Sequence, residues 1–147
     1  MMTNKATTSH SASACAVAFG GSASENRPYG IENSTIELRE NTTITGTTAH
    51  PQSNNPGNGL IANLRSVLRV RDNTAITSNA FDGVQLNTGS VIDFFLGATV
   101  SVTGNTGLGL RCNGGQTFYS GNVSGVTGNT AGGNVDASGN IPGCTRF

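Results

Sequence analysis

Four residues in this chain could do chemistry together: Glu37, Arg69, Asp93 and Tyr119, with Arg39 and Arg71 beside them. Carboxylates grouped with a guanidinium can pass protons, hold a divalent cation, or bind a polar ligand through charge-assisted hydrogen bonds. The four are 32, 24 and 26 residues apart, too far for one helix or hairpin to bring together. Only a chain that returns to the same place about every 24 residues would stack them. Alternating charge in such a stack is also what neighbouring strands favour by themselves, at some 0.2–1 kcal/mol per opposite pair.

That return is written in a repeated phrase. Asn73-Thr-Ala-Ile-Thr77 is followed by Thr99-Val-Ser-Val-Thr-Gly-Asn105 and Val123-Ser-Gly-Val-Thr-Gly-Asn129, with a fainter copy at Asn41-Thr-Thr-Ile-Thr-Gly46. A period of this length, built from short β-type triplets and Gly/Asn turns, is the signature of a solenoid. Aligning on the phrase predicts three strands per coil. In one strand, Ile36, Leu68, Ile92 and Phe118 point inward, then Leu38, Val70, Phe94 and Ser120, which leaves Glu37, Arg69, Asp93 and Tyr119 outward. In the phrase itself Ile44, Ile76, Val102 and Val126 point in, and Thr45, Thr77, Thr103 and Thr127 point out. In the third strand Ile31, Leu60, Val84 and Leu108 form the inward column, with Ala62, Leu86 and Leu110 below.

The long first step is explained by an insertion around Pro51 and Pro56, read as a protruding loop. All four prolines fall outside the strands, where their missing N–H does not break a ladder. Asn79, Asn105 and Asn129 align at the turn after the repeated phrase, and stacked asparagines there are expected to bond from coil to coil. The resulting expectation is an all-β parallel β-helix of about four to five coils over residues 29–137, with caps at 1–28 and 138–147. Ile141 and Phe147 are expected to cover the last coil. Without caps the two ends would invite end-to-end self-association.

The motifs Asn73-Thr-Ala-Ile-Thr-Ser-Asn79, Val102-Thr-Gly-Asn-Thr-Gly-Leu-Gly-Leu110 and Val126-Thr-Gly-Asn-Thr130 resemble the right-handed parallel β-helix of the pectin lyase-like superfamily. The resemblance implies a right-handed coil and a place among bacterial surface and secreted proteins, hence an extracellular or cell-surface location. Enzymes of that superfamily cleave polysaccharides from an outward strand face using clustered carboxylates. Here the acidic motifs Asn-Thr-Asp and Gly-Asp-Asp are missing, and Asp72, Asp82, Asp93 and Asp136 align to different faces. The reading is therefore a non-catalytic structural or adhesive module, with Glu37, Arg69, Arg71, Asp93 and Tyr119 as a binding face for polysaccharide or a cell-surface glycan. A lyase or hydrolase, or a fragment of one, is the enzymatic alternative. An ice-binding solenoid using the outward threonine column is another.

Composition narrows the partners. Eight basic and eight acidic residues leave a formal charge of zero, so neither nucleic acid nor an anionic membrane surface finds a cationic patch. No apolar run approaches the roughly 18 residues of a membrane span, and Ala14 to Phe19 is short for a signal segment. His10 and His50 stand alone, and no cofactor or metal motif appears. Cys15, Cys112 and Cys144 lack zinc-ligand spacing. They are read either as three free thiols or as a Cys112–Cys144 disulfide tying the tail to the last coil, which would imply an oxidising compartment.

Overall fold

The computed structural model describes residues 29–32, 35–38, 42–49, 56–71, 73–95, 99–114 and 117–147. Among these there are strands and turns and no helix. Sheet A stacks β1 (Tyr29–Glu32), β4 (Leu60–Asn63), β7 (Val84–Asn87) and β10 (Leu110–Asn113). Sheet B stacks β2 (Thr35–Leu38), β5 (Val67–Val70), β8 (Val91–Phe94), β11 (Phe118–Gly121) and β13 (Thr145–Arg146). Sheet C stacks β3 (Thr43–Thr45), β6 (Thr74–Thr77), β9 (Val100–Thr103) and β12 (Val126–Thr127).

Every pairing is parallel and joins a strand to its equivalent one coil later, as when Leu68 faces Ile36 on one side and Ile92 on the other. The chain is thus a parallel β-solenoid. Four strand triplets with three steps between them make about three turns, fewer than the four to five expected.

Alternation decides which side chains fill the interior. In β4, β6, β7 and β9 the first and third residues are buried, and in β2 and β8 the second and fourth. The columns Ile44–Ile76–Val102–Val126 and Leu38–Val70–Phe94 are closed to solvent as the periodicity predicts. Each such side chain contributes on the order of 1.5–3 kcal/mol by leaving water.

Two columns differ from the expectation. In sheet B, Tyr119 and not Phe118 stands opposite Ile92, which turns Tyr119 inward at 0% exposure and puts Phe118 and Ser120 outside. A one-residue slip necessarily exchanges the two faces of a strand. In sheet A, Leu110 and not Leu108 stands opposite Val84, and Ile31 stands opposite Ala62. A two-residue slip preserves the face of a strand, and Leu60, Ala62, Val84, Leu86 and Leu110 are buried there with Cys112 packed beside them.

The corner after sheet C carries the expected asparagine ladder, and it is continuous. Asn79 Nδ2 donates to Asn105 Oδ1 at 2.8 Å, and Asn105 Nδ2 donates to Asn129 Oδ1 at 2.7 Å. Each Oδ1 also accepts the backbone N–H of the asparagine one coil earlier, at 3.0 and 3.1 Å. Thr47 starts the ladder by donating to Asn79 Oδ1, and Asn134 ends it by accepting from Asn129 Nδ2 at 2.6 Å. The glycines at 59, 83 and 109 are required by this packing. A Cβ on Gly83 would lie 2.7 Å from Asn105 Nδ2, and one on Gly109 would lie 2.4 Å from Asn129 Nδ2.

The residue before each asparagine is left-handed: Gly104 at φ 66°, Gly128 at 65°, but Ser78 at 55°. An L-residue pays about 1–2 kcal/mol for that conformation, partly offset because glycine loses more freedom on folding. Ser78→Gly is therefore expected to stabilise the protein by roughly 0.5–1 kcal/mol, seen as a higher urea midpoint at unchanged slope. A lower midpoint would show that the serine hydroxyl contributes more than the backbone loses.

The end of the rod is closed by the last residues. Val135 N–H donates to Val126 O at 2.8 Å, Ile141 is 1% exposed, and β13 pairs with β11. Ile141 packs into the hydrophobic core. Phe147 does not: it is 71% exposed and meets Phe118 edge-on at 5.8 Å on the outside of sheet B. Residues 1–28, with His10, Cys15 and the proposed N-terminal cap, lie outside the described residues, as do Arg39, Asp72, His50 and the tip of the insertion at 50–55.

Candidate functional site on the outer face of sheet B

Parallel strands repeat every 4.7–4.9 Å across a sheet, so side chains at equivalent positions form columns along the rod. On the outside of sheet B one column is Glu37, Arg69, Asp93 and Ser120, in register. The structure brings together three of the predicted charged residues and replaces the fourth position, assigned to Tyr119, with Ser120. The neighbouring outward column is Thr35, Val67, Val91 and Phe118. Pairing of β13 adds Phe147, whose N–H donates to Tyr119 O at 3.2 Å. A polar column therefore runs beside an apolar one, and Phe147, one rung beyond Ser120 by this register, brings its ring edge-on to Phe118 at the end of the apolar column.

The charges on this face are engaged unequally. Arg71, one strand on from Glu37, donates from Nε to Glu37 Oε1, and its guanidinium stacks 4.2 Å above the Phe95 ring. Asp93 Oδ1 accepts the Ser120 hydroxyl at 2.6 Å. Arg69 stands exposed between the two acidic residues. Glu37 and Asp93 lie two rungs apart, about 9–10 Å between backbones. The face can offer a cation, hydroxyl and carboxylate acceptors, and aromatic surface to a ligand lying against it.

Tyr119 is spent on the interior. Its hydroxyl accepts Ile141 N–H at 3.1 Å and contacts Asn140 Oδ1 at 3.3 Å, so it anchors the terminal segment.

Sequence reasoning also missed a charged pair at the corner before β7. Asp82 is 0% exposed, accepts Leu108 N–H at 2.8 Å and Arg111 Nη2 at 3.0 Å on Oδ1, and accepts Arg111 Nε on Oδ2. Its own N–H donates to Asn58 Oδ1 at 3.1 Å, and Arg111 lies 5.1 Å from the Phe81 ring centroid. Hydrogen bonding to Asp82 raises the Arg111 pKa above its ordinary value, against desolvation, which lowers it, and with the help of the Asp82 charge. This pair ties two successive coils at the corner leading into sheet A. The signal for it was the one-coil alignment of Asp82 with Asn58, two polar residues at a tight corner.

Outside sheet A a second amide relay was likewise unforeseen. Asn58 Nδ2 donates to Gln85 Oε1, Gln85 Nε2 to Asn87 Oδ1, and Asn87 Nδ2 to Asn63 Oδ1 at 2.7 Å. Outside sheet C the threonine column stands as aligned, with Thr77 Oγ1 3.5 Å from Thr45 Oγ1. Its neighbour column is broken by Ala75.

Cys112 and Cys144 form a disulfide, which resolves the two readings of these thiols. Among the described residues no group of three or more His, Cys, Asp or Glu side chains could hold a metal ion, and no helix is long and apolar enough to cross a membrane. Comparison with known proteins gives no match to a family model, to a curated protein or to a solved structure.

Proposed function

We propose that this chain is a non-catalytic structural or adhesive solenoid module that binds glycan on the outer face of sheet B. The observation that carries the reading is the pair of adjacent columns on that face. Arg69, Asp93 and Ser120 can meet sugar hydroxyls while Val91, Phe118 and Phe147 meet the apolar face of a pyranose ring. Burial of Tyr119 moves the aromatic contribution to Phe118 and Phe147 without removing it. The engagement of Glu37 by Arg71 and of Asp93 by Ser120 supports a binding role over acid–base catalysis. A disulfide supports placement outside the reducing cytosol.

The test is a glycan array followed by calorimetry on any hit. Arg69→Ala and Phe147→Ala are each expected to weaken binding roughly tenfold, about 1.4 kcal/mol, with folding unchanged because both side chains are exposed. An array without hits would contradict the proposal, as would hits indifferent to both substitutions. Release of reducing ends or of an unsaturated product would favour the enzymatic alternative. Thermal hysteresis lost on Thr77→Trp would favour ice binding.

A further inference from the structure

We infer that the Cys112–Cys144 disulfide is a redox latch for the terminal segment, and that its reduction detaches residues 135–147 from the rod while the coils stay folded. The two cysteines are 32 residues apart in sequence. Cys112 lies on β10 of the last coil, in register with Leu86, and Cys144 lies immediately before β13. Both are only partly buried, so a reductant can reach the bond.

The other ties on this segment are single contacts spread along it. Val135 packs on the core and its N–H bonds to Val126 O, Ile141 is buried with its N–H on the Tyr119 hydroxyl, which also meets Asn140 Oδ1, and the two-residue pairing of β13 with β11 is accompanied by Phe147 N–H on Tyr119 O, Arg146 Nη2 on Gly121 O at 3.4 Å and the edge contact of Phe147 with Phe118. Most of the remaining side chains from Asp136 onward are exposed. The coils, in contrast, are joined on three sides by ladders and along one corner by the asparagine stack, none of which passes through the disulfide. Segments with few buried contacts open independently of the rest. Here one covalent bond holds such a segment in place.

A reducing dithiol of the thioredoxin class supplies the two electrons. One of its thiolates attacks Cys144 Sγ, the S–S bond breaks, and Cys112 leaves as a thiolate that takes up a proton. The second thiol of the reductant then displaces Cys144 as a thiol, and the reductant departs as its own disulfide. Because β13 carries Phe147 onto sheet B, opening withdraws that ring from the face described above. This last consequence rests on the proposed glycan site, whereas the latch itself does not.

Hydrogen exchange of the full chain, before and after reduction by dithiothreitol and alkylation, tests the latch without any ligand. The expected result is at least tenfold faster exchange of amides in residues 135–147, with protection of β4 to β9 unchanged, and the same pattern in a Cys112→Ser, Cys144→Ser variant. Unchanged protection of the terminal segment would overturn the inference. So would loss of protection throughout the coils, because the bond would then be a staple for the whole fold. If exchange behaves as expected but glycan binding is absent in both redox states, the latch stands and the binding proposal falls.

Discussion

Replacing Asn105 by alanine is expected to remove roughly 3–6 kcal/mol of folding stability, because several buried polar groups lose their partners at about 1–3 kcal/mol each. Asn105 is 0% exposed and works in both directions along the ladder. Its Oδ1 accepts the N–H and the Nδ2 of Asn79, and its Nδ2 donates to Asn129 Oδ1 and to Ile76 O at 3.1 Å. Alanine leaves Asn79 with two donors and no acceptor, in a place water does not reach. Against a total stability of about 5–15 kcal/mol for a domain, this is a large fraction. In urea it corresponds to a midpoint lower by roughly 2 M. Asn105→Asp retains the acceptor but turns an oxygen toward Ile76 O and Asn129 Oδ1, so it is expected to be nearly as damaging. Asn113→Ala, on an exposed side chain at the end of β10, is expected to change stability by under about 0.5 kcal/mol. Equal effects at 105 and 113 would contradict the ladder.

Substituting Arg111 by methionine is the second large effect. Methionine keeps the aliphatic stem but strands the Asp82 carboxylate, which has no exposure and is left with the Leu108 N–H. Removing one partner of a buried ion pair costs about 3–5 kcal/mol, most of it the penalty of an uncompensated buried charge. The Asp82→Asn, Arg111→Met double variant removes the charge and leaves a side-chain oxygen for Leu108 N–H. It is expected to recover more than half of the loss in a thermal or urea unfolding series. A double variant as unstable as Arg111→Met alone would show that the guanidinium acts through packing on Phe81 and not through Asp82.

What the sequence made legible follows from physical period. The inward aliphatics of β5, β6, β8 and β9 and the asparagines at 79, 105 and 129 repeat at nearly constant spacing, so one alignment placed them all. The last coil was harder to read because its turn differs. Asn87-Thr-Gly-Ser90 leads into β8, whereas five residues, Asn113 to Thr117, lead into β11. Alternation counted from Thr117 as the first strand residue then places Phe118 inside and Tyr119 outside. Tyrosine goes in because its hydroxyl finds Ile141 N–H and Asn140 Oδ1 on the terminal segment, partners that only the folded chain supplies. A finer signal was present. Ser66, Ser90 and Thr117 are buried hydroxyls that bond back to the turn carbonyls of Asn63, Asn87 and Gly114. Aligning these three places Phe118 at the first position of its strand, beside Val67 and Val91.

The candidate face was legible in the same way and to the same depth. Glu37, Arg69 and Asp93 fall in one column as their spacing requires. The diagonal bond from Arg71 to Glu37 and the stacking of Arg71 on Phe95 depend on side-chain reach, which a column alignment does not contain. Phe147 is expected, with Ile141, to cover the end of the last coil. It lies outside because β13 continues sheet B in register beyond β11, so the last residue falls on the outward side.

The most direct test of the parallel stacking on which all of this depends is a methyl contact map by NMR on isotope-labelled protein. The structure predicts that Ile76 contacts Ile44 and Val102, that Val102 also contacts Val126, and that Leu68 contacts Ile36 and Ile92. Strong backbone contacts between strands consecutive in sequence, such as β7 with β8, in place of contacts one coil apart, would contradict it.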